Sequence, residues 1–316
     1  MGSKQTESVR RGCSRREALT LMLGAGIGMA TGRLGAEPAG DDLILRTIPH
    51  GGERIPVVGL GSSDTFEVGA SDAQRAPVRE VLKRYVELGG SVVDTSPMYG
   101  TAETVIGDVA HQLGISAKLW LATKVWTGGR EAGIEQMEQS FRRLRTDSID
   151  LMQVHNLVDT QTHLRTLRGW KEQGRVRYIG VTHYQVSAYE ELARLIRDES
   201  LDFVQFNYSI ATREAERMLL PLAAEQHTAV MINRAYEDGG LFAHVRGKPL
   251  PGWAAEFDCV SWGQFFLKYV ISHPAVTSVI PATSKVNHLV DNMGAGRGRL
   301  PDAAMRTRMV AYFESL

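Results

Sequence analysis

The chain has 316 residues, 43% hydrophobic and 23% charged, with 36 basic and 36 acidic side chains. That length and composition give one large α/β domain or two ordinary ones, and exclude a low-complexity chain. Residues 1–36 hold six basic residues (Lys4, Arg10, Arg11, Arg15, Arg16, Arg33) and two acidic ones (Glu7, Glu17), so the remainder carries four more acidic than basic side chains and offers no electrostatic case for nucleic-acid binding.

The first segment, "RRGCSRREALTLMLGAGIGMATG", combines a basic start, a paired arginine and an apolar stretch from Leu19 to Ala30 that is short for a bilayer span. Small residues follow, with a cleavage point expected after Ala36. "SRREAL" resembles a twin-arginine translocation signal, with Ala18 where an aromatic is usual. Charge, length and order favour export over a cytosolic tail. Residues 1–36 are therefore expected to address the protein to the periplasm through the twin-arginine export machinery. No stable membrane span would remain after cleavage; uncleaved, the segment would be an anchor. Removing the leader and its Cys13 leaves Cys259 alone, so no internal disulfide is expected, and no cluster has zinc spacing.

From Ile55 onward, short apolar runs alternate with segments of helical period, the pattern of repeated βα units on a parallel sheet. Strands are expected to end near Leu60, Asp94, Lys124, His155, Val181, Phe206, Ile232 and Ile280. Between them lie the helix candidates "APVREVLKRYVELGG", "IEQMEQSFRRLRT", "THLRTLRGWKEQGR" and "EAERMLLPLAAEQ", with Gly89, Gly114 and Gly174 as C-terminal caps. Eight such units over residues 37–316 predict a single (β/α)8 TIM barrel domain, and no strand is followed by the GxGxxG of an open dinucleotide-binding sheet. The segment "YEDGGLFAHVRGKPLPGWAAEFD" reads as a long loop over one mouth, and "PDAAMRTRMVAYFESL" as a helix added after closure.

Four polar residues fall at or just beyond strand ends: Asp94 and Tyr99 in "DTSPMYG", Lys124 in "LWLATK" and His155 in "DLMQVH". A buried Asp94 needs a cation, and Lys124 on the next strand can supply it. A lysine ammonium beside a phenol lowers its pKa, which would make Tyr99 a usable proton donor near neutral pH. His155 can hydrogen-bond and orient a carbonyl oxygen. No metal site is expected.

These four residues, with "GLG" at 59–61, "GVTH" at 180–183, "QFNY" at 205–208 and "IPATSKVNHLVDN" at 280–292, resemble the aldo-keto reductase family, in order over most of the body. The resemblance implies a (β/α)8 barrel that binds NADP(H) without a Rossmann domain and reduces a small aldehyde or ketone by hydride transfer, as an enzyme that is usually a monomer. It makes Tyr99 the general acid, tuned by Lys124 and Asp94, with His155 positioning the substrate. Gly61 and Ser62 are implied near the nicotinamide and phosphates, Thr182, His183 and Gln205 at the carboxamide, and Asp291 and Asn292 at the adenine. His183 stands where the family usually has Asn. Asn233 occupies the place of the aromatic that stacks on the nicotinamide, leaving Arg234, Tyr236 or Tyr208 as substitutes. Ser284 and Lys285 replace the usual phosphate grip, so NADP is favoured over NAD only modestly. Trp126, Phe66 and Trp253 are candidates for apolar lining. The other readings are an NADP(H)-binding redox sensor or accessory subunit with slow turnover, and a metal-dependent barrel hydrolase, for which the ligand residues are lacking.

Overall fold

The computed structural model describes residues 42–316; the leader expected over residues 1–36 lies outside them. The described residues begin with an antiparallel hairpin, β1 (Leu45–Thr47) and β2 (Arg54–Pro56). Eight parallel strands follow: β3 (Leu60–Gly61), β4 (Val92–Asp94), β5 (Trp120–Val125), β6 (Ile149–His155), β7 (Val176–Thr182), β8 (Phe203–Asn207), β9 (Ala229–Asn233) and β10 (Val276–Val279). They pair in strict sequence order. Val58 bridges Val279 and Gly61 bridges Ala282, which brings the first strand against the last and closes the ring. Gly61 is required at that seam, since a Cβ there would come within 2.6 Å of the Ile280 carbonyl oxygen.

Helices alternate with the strands on the outside: α1 (Asp72–Glu87), α2 (Ala102–Leu113), α3 (Arg130–Leu144), α4 (Thr160–Glu172), α5 (Tyr189–Asp198) and α6 (Leu219–Glu225). The short α7 (Gly240–His244) and then α8 (Trp262–Ile271) follow β9; α9 (Val286–Ala295) follows β10, and α10 (Ala303–Glu314) comes after closure. The eight expected strand ends all fall within about two residues of the observed ones, and Gly89, Gly114 and Gly174 take positive φ just beyond α1, α2 and α4. "EAERMLLPLAAEQ" divides into a 3₁₀ turn over Glu214–Arg217 and a separate α6, which places Pro221, lacking an amide hydrogen, in a first turn where none is needed. Helix α1 starts earlier than its apolar period indicates, because Ser71 caps it by accepting from the Gln74 amide.

Within the barrel the inward positions change character along each strand. Near the bottom they are Val92, Trp120, Ala122, Leu151, Tyr178, Phe203, Ala229, Met231 and Ile280, which pack with Ile48 and Ile55 from the hairpin region into one apolar plug. One pleat further on come Asp94, Lys124, Gln153 and His155, Thr182, Gln205 and Asn207, and Asn233. Register sets this layer: Lys124 lies opposite Gln153, His155 opposite Thr182, Thr182 opposite Gln205 and Asn207 opposite Asn233. A period-2 strand that ends in a polar residue therefore delivers that residue to the carboxyl mouth, where barrels of this class carry their chemistry.

Candidate active site

Asp94 and Lys124 are 2% and 0% exposed. The lysine donates to Asp94 Oδ2 at 2.6 Å and to the Thr95 carbonyl at 2.7 Å. The other carboxylate oxygen, Oδ1, accepts from Gln205 Nε2 at 3.0 Å and Gln153 Nε2 at 3.4 Å. Burial is the largest single influence and pulls the Lys124 pKa down, but Asp94 and Tyr99 together outweigh it and leave that pKa raised. The Lys124 charge also acts on the Tyr99 hydroxyl, and its nitrogen lies 5.2 Å from that ring's centroid.

The expected net lowering of the Tyr99 pKa is not what the geometry gives. Burial is the largest influence and raises it; the Lys124 charge pulls down, and the outcome is a phenol above its ordinary value of 10. Tyr99 therefore holds its proton throughout the neutral range, and the lysine limits how far burial raises it.

His155 stands edge-on to Tyr99, ring centroids 5.8 Å apart. Burial, then the neighbouring charges of Lys124 and His183, push its pKa down to about 3, so the imidazole is neutral. Ser96 Oγ accepts from the Met98 amide at 3.2 Å and pairs with His155 Nδ1 at 3.0 Å, which holds the imidazole in place. Ser96 and Gln153 were missed in the sequence. Gln153 was legible as the inward residue one pleat before His155; Ser96 lies beyond its strand, where no periodicity marks it.

Of the residues expected to hold a cofactor, Gly61 is buried in the barrel seam, Ser62 Oγ is buried without a partner, Ser284 is half-buried and Lys285 is exposed as the residue before α9. Thr182 and Gln205 are engaged with each other, Oγ1 donating to Oε1 at 3.0 Å, while Asn233 Nδ2 donates to the same oxygen at 3.3 Å. Asp291 accepts from Ser261 and Gln264 at the start of α8, and Asn292 accepts from Tyr236 at 2.6 Å, so both tie α9 to its neighbours.

Two of the three expected substitutes for the stacking aromatic are withdrawn. Tyr208 is fully buried with its hydroxyl on Glu216, and Tyr236 packs between Phe242 and Phe266. Arg234 remains, paired with Asp238 at 2.5 Å and lying 5.5 Å over the Tyr184 ring, which stacks on His183. Phe66 is likewise fully buried, and Trp253 packs on Phe265, Tyr312 and Arg308, so neither lines a pocket; Trp126 is exposed. Unpartnered buried acceptors at Asn207 Oδ1 and Asn233 Oδ1 also mark strand ends at the mouth.

A closed parallel barrel with a buried lysine–carboxylate pair, a phenol and a neutral imidazole at its carboxyl mouth is the architecture of a barrel enzyme that moves protons at an oxygen atom. The chain belongs to the aldo/keto reductase family, whose profile matches residues 57–308. It is 28% identical over 265 residues to methylglyoxal reductase YeaE of Escherichia coli, spanning 82% of this chain and 91% of that protein. It is 27% identical over 168 residues to aldo-keto reductase YhdN of Bacillus subtilis, about half of each chain (48% and 50%). Among solved structures, an aldo/keto reductase from Klebsiella pneumoniae in complex with NADP and acetate matches at a TM-score of 0.70 and 25% identity, covering 83% of this chain and 93% of that one.

Proposed function

We propose that this chain is an NADPH-dependent carbonyl reductase that converts an aldehyde or ketone to an alcohol, with Tyr99 as the general acid. The observation that carries the reading is the buried Lys124 ammonium, held between Asp94 and the Tyr99 hydroxyl beside a neutral His155. Bound NADPH would supply the hydride. His155 Nε2–H donates to the carbonyl oxygen and orients it. Tyr99 gives its proton to the same oxygen as negative charge develops there, an alkoxide being a stronger base than a phenolate even when the phenol's pKa is raised. Lys124 then stabilises the phenolate, and Asp94, fixed by Gln153 and Gln205, keeps the lysine charged.

The residues present fit such a cofactor. Unpartnered Ser62 Oγ, Asn207 Oδ1 and Asn233 Oδ1 offer hydrogen bonds to a polar ligand at the strand ends, and exposed Lys285 and His288 can meet a phosphate at the start of α9. The NADP and NADPH complexes of the Klebsiella relatives support the choice. One flexible lysine in place of a lysine and arginine makes the preference over NADH a modest one. The test is mass spectrometry of nucleotide released from purified protein, followed by NADPH oxidation against a carbonyl panel. Absence of both nucleotide binding and carbonyl-dependent oxidation would sink the proposal.

The leader supports a companion proposal: residues 1–36 direct the folded barrel, residues 37–316, to the periplasm by the twin-arginine route. Arg15→Lys with Arg16→Lys should hold active, full-length protein in the cytoplasm; identical fractionation of wild type and double variant would overturn it.

A further inference from the structure

Ser96 joins the two groups read as meeting the substrate oxygen. It lies in the turn after β4 and is fully buried. Its backbone carbonyl accepts the Tyr99 amide at 3.0 Å, and its hydroxyl lies 3.0 Å from His155 Nδ1. One residue therefore holds both Tyr99, which follows β4, and His155, which ends β6.

The Ser96 hydroxyl can play either part toward Nδ1, and counting its bonds separates the two. Its oxygen already accepts from the Met98 amide at 3.2 Å. If it also accepted from an Nδ1–H, its own hydrogen would have no acceptor, because among the described residues only His155 Nδ1 lies within hydrogen-bond distance of it. A buried hydroxyl hydrogen left unpaired carries the full cost of its desolvation. Donation to Nδ1 instead satisfies the Met98 amide, the Ser96 hydrogen and the ring nitrogen together. The neutral imidazole carries a single hydrogen, so with Nδ1 as acceptor that hydrogen sits on Nε2. The opposite tautomer would turn a bare lone pair toward a carbonyl oxygen, and two acceptors do not bond.

We propose that Ser96 is the positioning residue for His155: it donates its hydroxyl hydrogen to Nδ1 and so fixes the ring as a donor through Nε2–H. Ser96 itself makes no bond to substrate. The kinetic consequence rests on the carbonyl reductase reading, whereas the tautomer is a property of the resting protein and can be read without turnover.

Two measurements on full-length protein test it. The first is ring-nitrogen NMR of histidine-labelled protein at neutral pH, with the His155 signals assigned by their loss in His155→Gln. Nδ1 is expected at the shift of an unprotonated, hydrogen-bonded nitrogen and Nε2 at that of a protonated one. The reverse pattern overturns the proposal. In Ser96→Ala the two shifts should move toward one another as the ring exchanges between tautomers.

The second is a double-variant cycle in kcat/KM, using NADPH and a carbonyl compound that the wild type reduces. Ser96→Ala should lower kcat/KM about tenfold, the scale of one well-placed hydrogen bond, with the NADPH Kd unchanged. In a His155→Gln background the same substitution should cost less than about twofold, since the ring it positions is gone. Equal losses in the two backgrounds would assign Ser96 to the Tyr99 turn alone and overturn the role, as would a Ser96→Ala protein with wild-type kinetics. A wild type that reduces no carbonyl would remove the reductase reading, and the nitrogen spectrum would still decide the bond from Ser96 to His155.

Discussion

The Lys124 ammonium lies 2.6 Å from Asp94 Oδ2, and neither group meets solvent. A pair so placed is stable only while both members are present. Taking an ion out of water costs several kcal/mol, and the partner's charge with the remaining hydrogen bonds must return it. The Thr95 carbonyl, Gln153 and Gln205 complete that coordination. The same lysine is the cation that restrains the Tyr99 pKa, so stability and proposed chemistry meet in one side chain.

Lys124→Met should accordingly destabilise the fold by about 3–5 kcal/mol, since it strands a buried carboxylate. Adding Asp94→Asn should recover much of that loss without recovering activity. Urea unfolding of the single and double variants checks the first statement and NADPH oxidation the second. A double variant as unstable as Lys124→Met would mean that the pair's charge is not the source of the cost.

Tyr99→Phe removes the proposed proton donor and leaves the ring packed against His155. Turnover should fall about a hundredfold or more, the usual scale for losing a positioned general acid, with NADPH affinity retained. In the alcohol-oxidation direction, where phenolate is the active form, activity rises as pH passes upward through the Tyr99 pKa. In the residual activity of the Asp94→Asn, Lys124→Met protein that rise should move to higher pH, because the Lys124 charge, which lowers the phenol's pKa by more than the Asp94 charge raises it, is gone.

His155 titrates at about 3 in the folded chain, against 6.5 as the ordinary value. Between those two pH values the unfolded state binds the additional proton. The stability His155 contributes is therefore complete above 6.5 and is lost as pH falls toward 3. Moving from pH 7.5 to 4.5 should cost about 2–3 kcal/mol through this residue alone. Urea midpoints of wild type and His155→Gln at the two pH values measure it; equal acid slopes would remove His155 as the cause.

Lys285→Ala should weaken NADPH by about 1–3 kcal/mol and leave NADH nearly unchanged if the exposed ammonium meets the 2′-phosphate. Binding titrations with both nucleotides decide it, and equal losses would place the lysine's contact elsewhere.

The order of strands and the residues that end them were legible along the chain. Alternating inward and outward positions put Asp94, Lys124 and His155 at one mouth as soon as eight βα units were recognised. The hairpin of β1 and β2 was not legible, because two three-residue strands carry too little periodicity to register, yet Ile55 on β2 and Ile48 just after β1 fill the barrel floor. Ser96 was silent for a related reason: its place against His155 depends on how the chain turns after β4.

The sequence by itself determined the barrel, the polar layer and the four residues at its centre, since each follows from local period and the direction of a parallel strand. Only the tertiary structure decided the sign of the Tyr99 shift, because burial and the Lys124 charge oppose one another and their balance depends on packing. It also decided which aromatics are withdrawn from the mouth. Tyr208 and Tyr236 each end a recognisable motif, but their hydroxyls find Glu216, in the 3₁₀ turn eight residues on, and Asn292 on α9. A buried hydroxyl goes where a hydrogen-bond partner exists, and that partner is set by the fold and not by neighbours in sequence.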